Sequence, residues 1–212
     1  MTPRAALERG LKELELALPG DTLDGLLAYV TLLAKWNRSY NLTAIREPLA
    51  MVSHHLLDSL AVLPHLPLAH NGARLADAGS GAGLPGIPLA LARPQWHVAL
   101  IESNEKKAAF LRQAVIELGI RNIEIHQGRA QAWQPAMRFA MVISRAFAEL
   151  SAFIAACRHL LAPAGLFAAM KGKNPQAELE AMPADVRCKA IVRLHAPFIE
   201  AERHLVLCEL RA

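Results

Sequence analysis

Between Asp77 and Pro88 the chain places four glycines and two prolines in twelve consecutive residues, within L-A-D-A-G-S-G-A-G-L-P-G-I-P-L-A (75–90). Glycine inside a regular element costs roughly 0.5–1 kcal/mol relative to alanine. A cluster like this therefore marks a backbone that must turn sharply or admit a close neighbour. The run before it, Arg74–Ala78, reads as a short buried strand. The run after it, Gly83–Leu91, reads as a helix with Pro85 in its first turn, where the missing N–H has no helical partner anyway. Pro88 then implies an irregular first turn. A strand, a glycine turn and a helix in that order define one end of an α/β unit, and ligands of open α/β sheets bind beyond the carboxyl ends of the strands.

The rest of the chain divides around this unit. Residues 1–72 read as a helical N-terminal extension and residues 73–212 as the α/β domain. Leu7, Leu11, Leu14 and Leu18 trace one helix face that Pro19-Gly20 ends. Asp21 or Thr22 can cap a second helix with Leu23, Leu26, Leu27, Val30 and Leu33 on its apolar face. K-W-N-R-S-Y-N-L-T-A-I-R (35–46) is too irregular for a helix face, and a third helix is expected from Leu49 to about Leu63. From Ala73 strands and helices alternate. Strands are expected at His97–Glu102, Asn122–His126, Phe139–Ser144 and Leu166–Lys171, and helices at Glu105–Leu118 and Leu150–Leu161. Ala190–His195 and His204–Leu210 read as a terminal hairpin-like pair. This alternation predicts a mostly parallel sheet with helices on both faces.

Composition narrows the function. The 212 residues are 53% hydrophobic and 20% charged, with a formal net charge of +4. A packed core is expected, and a polyanionic partner is permitted but not required. Cys157, Cys188 and Cys208 show no metal-ligand spacing, which fits inert thiols in a reducing cytoplasm. No run of about 18 apolar residues predicts a membrane span. Nothing marks an obligate interface, so a monomer is expected.

Charge discriminates between ligands of the glycine turn. Gly81, Gly83 and Gly86 fit the dinucleotide pattern G-x-G-x-x-G, which alone is a weak signal. Asp77 stands just before the turn, where a carboxylate disfavours a pyrophosphate and favours a cation. S-adenosylmethionine carries a sulfonium and an ammonium and no phosphate. Asp77 can brace the loop or accept from that ammonium. Glu102, at the end of the second strand, can accept from ribose hydroxyls. G-R-A-Q (128–131) follows the third strand, where its backbone and Gln131 can meet an adenine edge. Arg145, at the end of the fourth strand, can hold a carboxylate or phosphate through its fork.

Four blocks, K-W-N-R-S-Y-N-L-T-A-I-R, H-L-L-D-S-L-A-V (55–62), D-A-G-S-G-A-G-L-P-G-I-P-L-A (77–90) and S-R-A-F-A-E-L (144–150), resemble the bacterial 16S ribosomal RNA guanine-N7 methyltransferases, the glucose-inhibited division protein B family. N-E-K-K-A-A-F-L-R (104–112), G-R-A-Q, M-K-G (170–172) and E-R-H-L (202–205) add to the likeness, which runs from about residue 10 to the end. The resemblance implies a class I methyltransferase, Rossmann-like fold, S-adenosyl-L-methionine as donor, and 16S ribosomal RNA or a small-subunit particle as acceptor. It implies cofactor contacts from Gly79, Leu84, Ala130, Gln131 and Arg145, to which the reading of the residues themselves adds Asp77, Gly81 and Glu102. The family usually has Glu where this chain has Gln131.

Guanine N7 has a lone pair and no proton, so its methylation needs no general base. That fits a chain lacking the [D/N]-P-P-[Y/F] motif of exocyclic-amine methyltransferases and the Pro-Cys nucleophile of pyrimidine C5 enzymes. Asn41 and Asp58 are candidates to stabilise the charge that ends on the purine. Lys35, Arg38 and Arg46 cluster around Trp36 and Tyr40, which can stack on unpaired bases. Lys106, Lys107, Arg112, Lys171 and Lys173 are expected to flank the crevice. The rival readings are a nicotinamide-dependent oxidoreductase, a non-catalytic RNA-binding factor, and a methyltransferase of another RNA or a small molecule.

Overall fold

The computed structural model describes residues 1–68, 71–145, 147, 149–173 and 175–211. Ala146 and Ala148 of the S-R-A-F-A-E-L block lie outside them. Helix α1 (Pro3–Glu13) begins at Thr2, whose hydroxyl accepts the Ala5 N–H at 3.2 Å. It ends earlier than the leucine spacing predicts. Glu15 adopts φ +56°, and the Leu16 and Glu15 N–H groups return to the Leu11 and Lys12 carbonyls, closing the helix end. Leu18 therefore lies outside the helix.

Helix α2 (Gly20–Tyr40) starts after Pro19 without a side-chain cap and runs straight through K-W-N-R-S-Y. The irregularity expected there is absent for a specific reason. Asn37 sits on the buried face with both ends of its amide hydrogen-bonded: Nδ2 donates to the Ile45 carbonyl at 3.2 Å, and Oδ1 accepts the Thr43 N–H at 2.9 Å. A polar residue thus holds a core position by folding the following loop onto itself. The third helical segment is composite. Helix α3 (Pro48–Met51) passes into a π-helical turn (Val52–Leu57) and then α4 (Asp58–Leu60). Such π turns often occur at functional positions, and this one carries His54 and His55 and delivers Asp58.

Strands β1 (Arg74–Ala78), β2 (His97–Glu102), β3 (Ile123–Gln127), β4 (Phe139–Ser144), β5 (Leu161–Lys171), β6 (Val186–Arg193) and β7 (His204–Leu210) form one sheet in the order β3-β2-β1-β4-β5-β7-β6. The first five run parallel, and β7 inserts antiparallel between β5 and β6. The terminal pair forms as expected, though β6 begins four residues before Ala190. Helix α5 (Gly86–Ala92) starts three residues later than Gly83, which places Pro88 in the first turn and removes its conflict with the helix. Helix α6 (Glu105–Glu117) is capped by Asn104, whose side chain accepts the Lys107 N–H. Helix α7 (Leu150–Cys157) gives way to a 3-10 turn, so β5 begins at Leu161, five residues before Leu166. The short helix α8 (Gln176–Glu180) occupies the expected polar loop.

Two apolar cores cover the two faces of the sheet. On one, Leu7, Leu26, Leu33 and Leu57 of the N-terminal helices join Leu75, Leu100 and Ile143 of the strands in one cluster. On the other, Phe153 and Ile154 of α7 pack on Ala76, Ala78, Val142 and Phe167. Strand alternation decides where the acids point. Asp77 shares the face of Leu75 and so lies beneath α5. No helix among the described residues is long and apolar enough to cross a membrane.

Candidate functional site

The carboxyl ends of β1 and β4 frame a cavity of about 220 Å³, lined by Gly79, Ser80, Gly81, Ala82, Leu84, Arg145, Leu42 and Thr43. Gly79 and Gly81 have φ +72° and +59°, conformations that a side chain makes costly. The loop is held from behind. The Gly79 and Ser80 N–H groups donate to the Ile101 carbonyl at 2.9 and 3.0 Å. Tyr29 of α2 donates its buried hydroxyl to the Ala82 carbonyl at 2.7 Å. Burial pushes that phenol far above its ordinary pKa, so it remains a donor.

Both acids of the sequence reading lie under the loop. Asp77 is fully buried, and its Oδ2 accepts the Gly86 N–H at 2.8 Å. Its Oδ1 has no hydrogen-bond partner among the described residues. Burial raises its pKa to about 7, against the opposing pull of the Gly86 N–H and Arg145. Of the two roles open to Asp77, this geometry supports bracing the loop. Its carboxylate occupies the start of α5, where a pyrophosphate would otherwise be received. Glu102 is 7% exposed and bridges two backbone groups, accepting from Gly81 N–H at 2.8 Å and Asn104 N–H at 2.7 Å. Ala130 and Gln131 do not line this cavity. They form a 3-10 turn beyond β3, with Ala130 buried and Gln131 exposed. The Gly128 N–H ties that turn to the Glu102 carbonyl at 3.0 Å. The ends of β1, β2 and β3 therefore place the glycine loop, Glu102 and Ala130 in a row.

Arg145 closes the other side. Its Nη1 donates to the His54 carbonyl at 3.0 Å and to Asp58 Oδ2 at 3.2 Å. Asp58 is 4% exposed, and its Oδ1 accepts from Arg203 Nε at 2.8 Å. One buried carboxylate thus holds two guanidinium groups. His55 is held at Thr43, Oγ1 to Nε2 at 3.0 Å, and burial, then Arg145, lower its pKa to about 4. Tyr29, Asn37, Thr43, His55 and Arg203 were not foreseen as site residues. Arg203 lies in the quoted E-R-H-L block and Asn37 in K-W-N, but nothing in the local pattern marks Tyr29.

Of the aromatic pair, Trp36 packs edge-on against Phe110 and Tyr40 stacks on Trp36 at 5.0 Å, with Tyr40 47% exposed. Lys35, Arg38 and Arg46 beside them are exposed. Lys171 departs from the expected rim: it is 9% exposed and paired with Glu178 at 2.7 Å. Burial raises Cys157 and Cys208 to about 12, which keeps them as thiols, whereas Cys188 is exposed. Among the described residues no group of three His, Cys, Asp or Glu side chains could hold a metal ion.

The cavity suits a nucleoside with a cationic centre and a carboxylate. Glycine backbone permits close approach, buried acids lie behind the loop with one oxygen unpartnered, and an arginine stands opposite. A family model described as GidB, rRNA small subunit methyltransferase G, matches residues 22–206. The ribosomal RNA small subunit methyltransferase G of Laribacter hongkongensis is 47% identical over 211 residues, covering 100% of both chains. That of Chromobacterium violaceum is 48% identical over 202 residues, 95% of each chain. Among solved structures, a DhpI-SAH complex aligns with a TM-score of 0.57 at 15% identity, covering 89% of this chain and 96% of that one. A SAM dependent methyltransferase from Aquifex aeolicus aligns with a TM-score of 0.54 at 18% identity, covering 72% and 90%. These two likenesses concern the fold, and the fold is the class I methyltransferase one.

Proposed function

Because the chain belongs to the rRNA small subunit methyltransferase G family, it is an S-adenosylmethionine-dependent methyltransferase of guanine N7 in 16S ribosomal RNA, and we propose that the cavity at the glycine loop is its donor site. The observation that carries the assignment is the union of Gly79, Gly81, Leu84 and Arg145 in one cavity at the carboxyl edge of the sheet. When bound, S-adenosylmethionine supplies an electrophilic methyl group on a sulfonium.

The residues of the chain then have distinct tasks. Gly79 and Gly81 offer bare backbone. Arg145, with Nη1 fixed by Asp58, presents the rest of its fork to a carboxylate. Glu102 retains lone pairs for ribose hydroxyls while tethering Gly81. Ala130 and Gln131, farther along the same edge, take the adenine. Asp77 braces the loop through Gly86. Since guanine N7 bears no proton, the chain need not supply a base, and its contribution is alignment. Near-attack positioning is worth roughly 7–11 kcal/mol in favourable cases.

The small-subunit RNA or particle is held outside the crevice by phosphate neutralisation. The exposed outer face of Tyr40 offers a platform for an unpaired base beside Lys35, Arg38 and Arg46. Such a substrate places the reaction in the cytoplasm. The test is transfer of a labelled methyl group to small-subunit RNA and to intact subunits from cells lacking this protein, with the product nucleoside identified. The expected product is 7-methylguanosine. Label found only on an amine or a pyrimidine would reject the assignment.

A further inference from the structure

Arg145 has a second side. It also borders a separate cavity of about 360 Å³ that lies against the ends of β5 and β6, the start of β7 and the π-helical turn. His55, Asp58, Gly172, Arg203 and His204 line it. Two observations set this cavity apart. His55 and His204 are 4% and 7% exposed, yet each leaves Nδ1 without a hydrogen-bond partner among the described residues. Buried polar atoms in folded proteins are rarely left unpaired unless a ligand or water completes them. The charges are also unbalanced: among the described residues the guanidinium groups of Arg145 and Arg203 share one carboxylate, that of Asp58. Arg203 spends Nε on Asp58 and Nη1 on the Glu202 carbonyl, and its Nη2 makes no hydrogen bond among the described residues.

We propose that this second cavity receives the acceptor guanosine nucleotide, with Arg203 Nη2 directed to guanine O6 and Asp58 fixing Arg203 relative to Arg145. The proposal rests on the assignment of the neighbouring cavity to the donor. In an A-form helix N7 lies in a deep, narrow major groove that side chains do not enter. A base that is to be methylated there is therefore presented unstacked, and enzymes that act on bases receive them in a pocket. The pocket must adjoin the donor site, and these two cavities share Arg145 as a wall. Its volume falls in the range of small-ligand sites, and its excess positive charge suits a nucleotide. N7 must stay free to react, which leaves O6 as the neighbouring acceptor. An arginine donor there selects guanine, because adenine places an amino group at that position. Asp58 is a positioning residue: its Oδ2 and Oδ1 accept from Arg145 and Arg203, and it so links the two arginines.

The experiment compares Arg203→Ala, Arg203→Lys and Gly172→Trp with wild type. Gly172 lines the cavity, and a Cβ added there meets no atom within 4 Å, so a bulky residue is accommodated at its mouth without displacing backbone. Each variant is assayed for thermal unfolding, for calorimetric affinity for S-adenosylmethionine, and for methyl transfer to small-subunit RNA. Arg203→Ala is expected to lower kcat/KM for RNA about 10- to 100-fold with donor affinity within about twofold. Arg203→Lys keeps the charge beside Asp58 and therefore the fold, but without the planar fork it recovers only part of the rate. Gly172→Trp is expected to block transfer while donor binding persists. Donor affinity falling in step with transfer in folded variants would assign the cavity to the donor and overturn the proposal. Wild-type transfer by both Arg203→Ala and Gly172→Trp would overturn it as well. A wild-type protein that binds the donor yet makes no 7-methylguanosine removes the parent assignment, and this one with it.

Discussion

The two edges of the sheet differ in a way that separates shape from chemistry. At the amino edge, beside the starts of β4, β5 and β6, lies a groove of about 890 Å³ lined by Arg138, Arg158, Arg187, Glu209 and Arg211. The carboxyl edge holds cavities of only about 220 and 360 Å³. Yet the large groove has its charges in surface pairs, Arg158 with Asp185 and Arg187 with the half-buried Glu209. None of the buried, partnerless side-chain atoms among the described residues lines it. The carboxyl edge has positive-φ glycines, a buried aspartate with a raised pKa and two buried histidines with open nitrogens. Volume alone would choose the amino edge. Polar groups buried without partners are costly to fold, and among the described residues His55 Nδ1, His204 Nδ1 and Asp77 Oδ1 lie toward the carboxyl edge, against Arg74 Nε at the amino edge.

The largest effect that tests this contrast is expected at Gly86. A Cβ there would lie 2.2 Å from Leu100 Cδ2 and 2.8 Å from Asp77 Oδ2. Gly86→Val should cost about 3 kcal/mol of stability, the upper range for overpacking, and abolish donor binding by moving the loop. A denaturant midpoint equal to wild type would mean that the loop is not braced from below. Next in size is Tyr29→Phe, which removes the donor from the buried Ala82 carbonyl. The expected loss is about 1 kcal/mol, with donor affinity weakened severalfold because Ala82 lines the cavity. Loss of stability with unchanged affinity would show that the loop keeps its shape without Tyr29.

The sequence made the carboxyl edge legible to different depths. The glycine turn, β1, β2 and β4 follow from local pattern, because tight turns and apolar strands are written in consecutive residues. Gly81 and Arg145 were singled out from that pattern, and Gly79 and Leu84 from the family resemblance; the structure brings all four to one cavity. The direction of Asp77 needed one further step, strand alternation, which puts it on the face of Leu75 and under α5. Asn37 misled the reading of α2: a polar residue on an apolar face looks like a helix end until its partners Thr43 and Ile45 are known. Tyr29, 53 residues from Ala82, and Arg203, 145 residues from Asp58, left no local trace of their partners. Such contacts belong to the packing of distant elements. The early start of β5 was missed because A-P-A-G (162–165) reads as a turn. The chain accommodates it with Ala164 at φ +60° and a register shift against β4 between Phe139 and Met141.

A smaller effect concerns pH. Asp77 has a folded-state pKa raised to about 7, so its contribution to stability is full below about pH 4 and is lost as pH rises through 7. His55 has a folded-state pKa lowered to about 4, so its contribution is present above about pH 6.5 and is lost as pH falls through 4. The two slopes oppose each other between about pH 4 and 6.5. Wild type should show a shallow dependence there. His55→Gln should uncover a stability that declines as pH rises, and Asp77→Asn one that increases, both read from denaturant midpoints across that range. Two variants with the same slope would place the titrations elsewhere.

The smallest expected effect lies at the amino edge, and its smallness is the point. Arg138 and Arg211 line the large groove, and no carboxylate among the described residues pairs with either. Replacing both with alanine should change stability by no more than about 0.5 kcal/mol, the usual range for surface positions. Donor affinity should not change. Strands of five or six residues at about 3.3 Å each separate the two edges by roughly 17–20 Å, while exposed charges are screened over about 8 Å at physiological ionic strength. A charge removed from one edge is thus electrostatically remote from the cavity at the other. Calorimetry of the double variant at two salt concentrations decides the matter. Donor affinity that falls, and falls more at low salt, would mean that the field of the amino edge reaches the glycine loop and that the two edges do not act separately.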